Sequence, residues 1–305
     1  MKTRGYILAA LAAGLYGTNP IFAVPLYHTG MNPLSVLLFR YLLGVPLLAA
    51  MLIARSEPLL LRRAEVLPIA TLGLVMAVSS LALFESYKYM NPGLASTLLF
   101  MYPVLTALIM SVIFHEPLRP VTGLCLALMG SGLYLLMRAP GGGAIAPGAL
   151  GLVLLSSLTY AIYLVMVRVS RRIRMVPTIK SLIYQLLFGS LLFLLMLGGS
   201  ARLTPPGSLA QWGSMAGLVL LPTVLSLICT IRAIEDIGPT PTAIFGALEP
   251  ITAVALSAML LGESVTPREA AGGALVLLAT MLVVVSDQAE RLLRRIRASG
   301  RSRHR

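Results

Sequence analysis

The chain has 305 residues, of which 57% are hydrophobic and 11% charged, and its mean hydropathy is +0.88. Soluble globular domains contain roughly 25% charged residues, so this composition excludes a water-soluble fold and indicates apolar surfaces that face a lipid bilayer. The formal net charge is +13. A nucleic-acid partner is not predicted, because the basic residues lie in short gaps between apolar runs and in the C-terminal tail.

Cysteine and histidine usage predicts neither a disulfide framework nor a metal site. Cys125 and Cys229 both lie inside apolar runs, and the three histidines are scattered along the chain. No cofactor is therefore expected. The first apolar run, from Gly5 onward, lacks a small-residue cleavage site followed by a polar mature domain, so we interpret it as a retained helix and not as a signal peptide.

The apolar runs predict an all-α integral membrane protein with ten transmembrane helices. About 20 apolar residues cross the hydrocarbon core as a helix, which satisfies its own backbone polar groups. We number the predicted helices spans one to ten in chain order. Their bounds are close to Gly5–Val24, Pro33–Ala54, Val66–Tyr87, Leu94–Phe114, Pro120–Met137, Leu150–Val167, Thr178–Leu197, Met215–Ala233, Thr242–Leu261 and Ala270–Ser286.

The distribution of Lys and Arg predicts how the chain is oriented. If the N-terminus is cytoplasmic, the segments on that side contain 18 of the 24 Lys and Arg residues, and the opposite segments contain four. Positive residues accumulate on the cytoplasmic side of membrane proteins. We therefore predict a multi-pass protein of the inner (plasma) membrane with both termini in the cytoplasm.

The chain contains an internal repeat with an offset of 147 residues. The offset aligns Pro92 with Pro239, Pro103 with Pro250, Glu116 with Glu263, and Pro120 with Pro267. It predicts two five-helix halves, 1–140 and 148–287, followed by a basic cytoplasmic tail, 288–305. Because five is an odd number, the second half enters the membrane from the opposite side. Inverted repeats are typical of secondary transporters, in which a midplane site opens alternately to each side.

Several short motifs resemble one family of transporters. They are Leu15-Tyr16-Gly17-Thr18-Asn19, Tyr102-Pro103 with His115-Glu116, Tyr160-Ala161-Ile162-Tyr163, and Leu248-Glu249-Pro250 with Leu261-Gly262-Glu263. In these motifs the chain resembles the drug/metabolite transporter superfamily, and within it the ten-helix EamA-type exporters. The resemblance extends over essentially the whole chain. It implies export of metabolites or amino acids, as in transporters of the YddG type.

Two ionisable residues lie within predicted spans, where each costs roughly 2.5–3.5 kcal/mol on insertion scales. Glu249, near the centre of span nine, is a candidate proton or cation site whose protonation is linked to substrate release. The alternative is a structural role beside Pro250, which leaves a backbone carbonyl without its usual donor. Arg40 lies a third of the way into span two. For Arg40 we favour a snorkelling role, with Glu85 as a candidate partner, over binding of a substrate carboxylate.

Two prolines aligned by the repeat are candidate hinges. Pro103 and Pro250 occupy equivalent positions in spans four and nine, and proline interrupts the helical hydrogen-bond ladder. Kinks at these prolines would let the two spans bend alternately during transport. The alternative is a static kink that only shapes the packing of the helices.

Polar and aromatic side chains on several spans predict one central, substrate-binding cavity. Ser79, Thr97, Ser157 and Ser226 accompany them on the same spans, and packing between helices is the alternative role for each. The predicted cavity residues are Tyr16, Asn19, Ser80, Ser96, Tyr102, Ser156, Tyr160, Tyr163, Thr223 and Glu249. A phosphate ester would need several Lys or Arg residues at this depth, so an amino acid or a similar small polar metabolite fits better.

Other classes of function leave no adequate signature in the sequence. His115-Glu116 lacks the second histidine of a zinc-binding H-E-x-x-H helix, and no nucleotide-binding motif is present, so an enzyme is not predicted. The alternative to an amino-acid exporter is a flippase or exporter of lipids or cationic drugs. The expected partners are a small-molecule substrate and membrane lipid, and a monomer is expected over a dimer.

Overall fold

The computed structural model of the chain describes residues 2–55, 58–115, 120–136, 146–199, 202–237, 242, 245–246, 248–268, 270–279 and 281–282. All regular secondary structure within these residues is helical. Seven helices are long and apolar enough to cross a membrane, and three shorter apolar helices lie where spans five, nine and ten are predicted. The full count of ten spans stays a prediction.

Several spans are assembled from more than one helical segment. In the first half, span one is Lys2–Tyr16 and Asn19–His28, span two Pro33–Ala54, span three Arg63–Ser86, span four Pro92–Leu99 and Tyr102–Phe114, and span five Pro120–Leu136. In the second half, span six is Pro147–Val169 with the short helix Arg171–Arg174 after it, span seven Thr178–Gly199, span eight Leu209–Val219, the π-helix Leu220–Leu225 and Ser226–Ile237, span nine Leu248–Leu260, and span ten Ala270–Ala279.

The helices begin where the sequence offers a side-chain acceptor to the first turn. The side chain of Asn32 accepts a hydrogen bond from the Ser35 amide at the start of span two. The side chain of Asn91 accepts one from the Leu94 amide at the start of span four. A proline follows each asparagine, and its fixed φ suits the first helical position. Ser208 and Gln211 form a reciprocal capping box at the start of span eight. Span two begins at the predicted Pro33, whereas span four begins at Pro92 and not at Leu94, and span eight begins at Leu209 and not at Met215.

Helices of the first half pack mainly against helices of the second half. Span one contacts span eight, span two contacts span seven, span three contacts span six, and span four contacts span nine. Spans five and ten approach each other where Gly132 faces the Gly272 carbonyl. A two-fold axis relating the two halves would generate this set of pairs. The inverted orientation and the boundaries 1–140, 148–287 and 288–305 stay predictions.

Gly73 lets spans three and seven approach more closely than side chains would allow. A Cβ atom at Gly73 would lie 2.8 Å from the Gln185 Cα and 2.9 Å from its carbonyl oxygen. Both are backbone atoms, so neither can rotate away. Small residues permit such contacts between helices in membranes. This glycine therefore sets the separation of two spans that both line the central cavity described below.

Span four is interrupted at Phe100 and Met101, between its two helical segments. In a continuous helix the amide of residue 103 would donate to the Leu99 carbonyl, but Pro103 has no N–H. Span six supplies the missing donor, because the Ser157 hydroxyl donates to that carbonyl at 3.1 Å. One half of the protein thus stabilises the break in the other.

We expect Gly73→Ala to destabilise the protein by about 1–3 kcal/mol, because the added methyl group must push the Gln185 backbone away. The measurement is thermal unfolding of the purified protein in detergent. Gly151→Ala is the matched control, since a Cβ at this helical glycine of span six meets no atom within 4 Å. Equal melting temperatures for the two variants would contradict the close-packing role of Gly73.

We expect Ser157→Ala to lower the free energy of unfolding by about 1 kcal/mol, because it leaves the Leu99 carbonyl unpaired. In a Pro103→Ala background residue 103 regains an amide that can bond this carbonyl, so the loss should shrink. Unfolding of the four members of this double-mutant cycle measures the difference. Ser131→Ala is the control, since this exposed hydroxyl bonds only the Ala127 carbonyl of its own helix. If Ser157→Ala lowers the free energy of unfolding equally with Pro103 and with Pro103→Ala, Ser157 does not replace the donor that Pro103 lacks.

Candidate functional site

A cavity of about 520 Å³ lies between the two halves. Its wall is formed by residues of spans one to four and of spans six to nine, so each half supplies four spans. Small-molecule sites in proteins occupy roughly 300–1,000 Å³. The described residues of spans five and ten contribute nothing to the wall. The cavity is therefore of suitable size for a small metabolite and lies at the interface of the repeats.

Most of the cavity residues that the sequence suggested lie on this wall. The seven that do are Tyr16, Ser80, Tyr102, Tyr160, Tyr163, Thr223 and Glu249. Ser79 and Ser226, from the same polar spans, also line it. Asn19, Ser96 and Ser156 do not, and the side chain of each donates to a backbone carbonyl instead.

The three residues away from the wall have partners that explain their positions. The Asn19 amide nitrogen donates to the Tyr16 carbonyl at 2.8 Å, beside the break in span one. The Ser96 hydroxyl donates to the Pro92 carbonyl of its own helix at 2.9 Å. Ser156 and Ser79 each donate to the other's carbonyl, at 2.8 and 2.9 Å, and so join spans six and three.

A row of three tyrosines forms one side of the cavity. The rings of Tyr102 and Tyr160 meet edge to face with centroids 4.7 Å apart, and those of Tyr160 and Tyr163 are stacked with centroids 5.7 Å apart. Aromatic pairs at these separations stabilise one another. The row crosses from span four of the first half to span six of the second. It gives the cavity apolar faces with phenolic hydroxyls at their edges.

Glu249 lies in the first turn of the span nine helix, which begins at Leu248, and not near its centre as predicted, and it faces the cavity. The positive end of a helix dipole favours a carboxylate at this position. Pro250 has no N–H to donate to the Gly246 carbonyl. This carbonyl instead accepts a hydrogen bond of 3.0 Å from the backbone amide of Glu249. The backbone thus satisfies the carbonyl that Pro250 leaves without a donor, and the Glu249 side chain lines the cavity. Neither of the two ion pairs among the described residues includes Glu249.

Arg40 does not snorkel to the interface, and the expected pairing with Glu85 is wrong. Its side chain is 7% exposed and lines the cavity. The Nε atom donates to Thr223 Oγ1 at 3.0 Å, and Cζ lies 5.4 Å from the centroid of the Phe84 ring. Glu85 instead forms a salt bridge of 2.6 Å with Lys88, three residues further along the chain. Glu85 is therefore paired locally and does not line the cavity.

Four polar residues of the wall were not predicted from the sequence, and they are Tyr41, Gln185, Thr230 and Thr242. The Tyr41 hydroxyl shares a hydrogen bond of 2.8 Å with Ser80, and the Gln185 amide donates to Ser181 at 2.8 Å. Both residues line the cavity. Gln185 could have been identified as a side-chain amide in the middle of an apolar run, and Tyr41 as the neighbour of Arg40.

The two candidate hinge prolines both follow an interruption of the helix. Pro103 comes directly after the Phe100–Met101 break and Tyr102, at the start of the second segment of span four. Pro250 lies in the first turn of span nine, four residues after a turn at Gly246. Both breaks adjoin the cavity, since Leu99 and Tyr102 line it on one side and Gly246 and Glu249 on the other.

Comparison with known proteins agrees with this architecture. The model of the EamA-like transporter family matches residues 3–138 and again residues 147–285. A solved structure, described only as the crystal structure of a protein, aligns with a TM-score of 0.64 and 20% identity over 96% of this chain and 99% of that chain. At that identity the likeness concerns the fold alone. No curated protein matches the chain.

The family matches cover both halves of the chain and leave only short segments outside. Together with the apolar helices, they establish a multi-pass membrane protein with a two-repeat architecture and a function in transport. The chain belongs to the EamA-like transporter family, within the drug/metabolite transporter superfamily.

Proposed function

We propose that this protein is a secondary transporter that exports amino acids or closely similar small metabolites across the inner membrane. The observation that carries the proposal is the cavity between the halves, in which the Glu249 carboxylate faces tyrosine and hydroxyl side chains. A carboxylate in an otherwise mildly polar cavity is suited to a substrate ammonium group or to a proton. The aromatic faces suit an aliphatic or aromatic side chain.

The charge of the cavity argues against substrates with phosphate groups. Arg40 is the one Lys or Arg residue among the described residues that line the wall. Phosphate recognition in proteins uses several cations or a cluster of backbone amides. Nucleotide sugars and phosphate esters therefore fit this cavity poorly, whereas a zwitterion fits it well.

Transport would proceed by alternating access, with Pro103 and Pro250 as hinges. The breaks beside them adjoin the cavity from opposite halves, and a helix that is already interrupted bends at lower cost than a continuous one. Bending of span four and bending of span nine would open the cavity to opposite sides in turn. The excess of Lys and Arg on one side supports cytoplasmic N- and C-termini. The resemblance of the sequence motifs to EamA-type exporters supports export.

We expect the purified protein in proteoliposomes to take up at least one radiolabelled amino acid in a saturable manner, and Glu249→Gln to reduce that uptake at least about tenfold. The reason is that hydrogen bonds to a charged group contribute about 1.5–3 kcal/mol, and about 1.4 kcal/mol corresponds to a factor of ten. Uptake is measured with two imposed pH gradients. A response to the gradient in the parent protein that disappears in Glu249→Gln assigns proton coupling to this carboxyl group.

Glu85→Gln is the matched control, because it neutralises a carboxylate that is paired with Lys88 and does not line the cavity. Its uptake should equal that of the parent protein. Uptake that is indifferent to Glu249→Gln would assign this residue a structural role. Failure to transport any amino acid would overturn the substrate assignment and favour lipids or cationic drugs.

A further inference from the structure

Arg40 is a charged group of the cavity wall that the function proposed above does not use. Its side chain is 7% exposed. A guanidinium withdrawn from water costs several kcal/mol unless opposite charge and hydrogen bonds compensate for the lost hydration. The groups around Arg40 supply only part of that compensation.

Thr223 holds one edge of the guanidinium. The Arg40 Nε–H donates to Thr223 Oγ1 at 3.0 Å, and the Thr223 hydroxyl donates to the Leu218 carbonyl at 3.1 Å. Residue 222 would bond this carbonyl in an α-helix, but Pro222 has no N–H. The Thr223 hydroxyl thus donates its one hydrogen bond within span eight, and its oxygen accepts the hydrogen bond from Arg40. The π-helix Leu220–Leu225 carries this arrangement.

Phe84 fixes the position of the guanidinium without pairing its terminal nitrogens. The ring centroid lies 5.4 Å from Arg40 Cζ, within the range of a cation–π contact. Among the described residues, neither terminal nitrogen of Arg40 has a hydrogen-bond acceptor or an ion-pair partner. These two nitrogens carry four N–H donors in one plane. Those donors are what Arg40 offers to a molecule in the cavity.

The geometry points to Arg40 as the carboxylate-binding group of the cavity, positioned by the Thr223 hydroxyl. A planar pair of N–H donors matches the two oxygens of a carboxylate. Glu249 lies on the other half of the protein and is not paired with Arg40. A solute with a carboxylate and an ammonium group can therefore engage both halves at once. The inference rests on the proposed function and narrows its substrates to solutes with a carboxylate, which excludes simple amines and cationic drugs.

The test compares three matched sets of ligands on the purified full-length protein. The sets are the standard amino acids, the primary amines formed by removal of their carboxylate, and the acids formed by removal of their amino group. Binding is measured from the concentration dependence of thermal stabilisation in detergent. We expect the amino acids to bind most tightly. Arg40→Gln should weaken the binding of amino acids and acids at least about tenfold and leave the binding of the amines unchanged.

Two further variants keep the test decisive if Arg40→Gln does not fold. Thr223→Val retains Arg40 but removes the acceptor of its Nε–H, and we expect it to weaken the binding of amino acids and acids about three- to tenfold. Arg40→Lys retains the charge but not the planar pair of N–H donors, and we expect the affinity for amino acids and acids to fall about tenfold. The controls are Arg172→Gln, an exposed arginine outside the cavity, and Thr159→Val, whose hydroxyl bonds only carbonyls of its own helix.

The outcomes separate this inference from the proposed function. Amines that bind as tightly as amino acids, or amino-acid binding that is unchanged in the Arg40 and Thr223 variants, would overturn the carboxylate assignment and leave amino-acid transport standing. Acids that depend on Arg40, in a protein where Glu249→Gln changes neither binding nor uptake, would support the inference and overturn the role of Glu249. If no member of the three sets binds, both proposals fail.

Discussion

A backbone carbonyl that loses its helical donor inside a bilayer must find another one, since no bulk water is present to replace it. Proline creates this situation at several places beside the cavity, and at one of them the Gly246 carbonyl before Pro250 is bonded by the Glu249 amide. The Leu99 carbonyl is bonded by Ser157 of the opposite half, and the Leu218 carbonyl is bonded by Thr223 one turn further along span eight. Irregular backbone at membrane depth is tolerated where it adjoins protein or a wet cavity. The helix breaks therefore lie beside the cavity, where side chains can bond the carbonyls that proline leaves without a donor.

The pairing of helices across the two halves follows from the repeat in the sequence. Because each half supplies four spans to the wall, the cavity belongs to neither half alone and lies at their interface. The basic and the acidic side chain of the wall are divided in the same way, with Arg40 on span two and Glu249 on span nine. A change in the relative position of the halves would thus change the distance between these two side chains. In the proposed mechanism, this geometry would link substrate binding to movement of the halves.

The sequence predicted the elements well and the orientation of single side chains less well. Span two begins at Pro33 and ends at Ala54 as expected, because Asn32 and Pro33 provide a strong local start signal. Tyrosines and Glu249 were identified by their polarity within apolar runs. Whether a serine such as Ser96 or Ser156 faces the cavity or bonds a carbonyl depends on helix rotation and neighbours, which a single sequence does not encode. Arg40 was misjudged because its partner, Thr223, lies 183 residues away and is presented by a π-helix.

The reciprocal pair formed by Ser79 and Ser156 limits how the molecule can move. Their hydroxyls bond each other's carbonyls across spans three and six, at 2.9 and 2.8 Å, with both side chains buried. Sliding one span along the other breaks both bonds together, whereas rotation about this point leaves them intact. A movement that keeps both bonds would therefore have to be a rotation about this pair. In such a rotation the displacement of each helix would grow with distance from Ser79 and Ser156, so its ends would move farther than its centre.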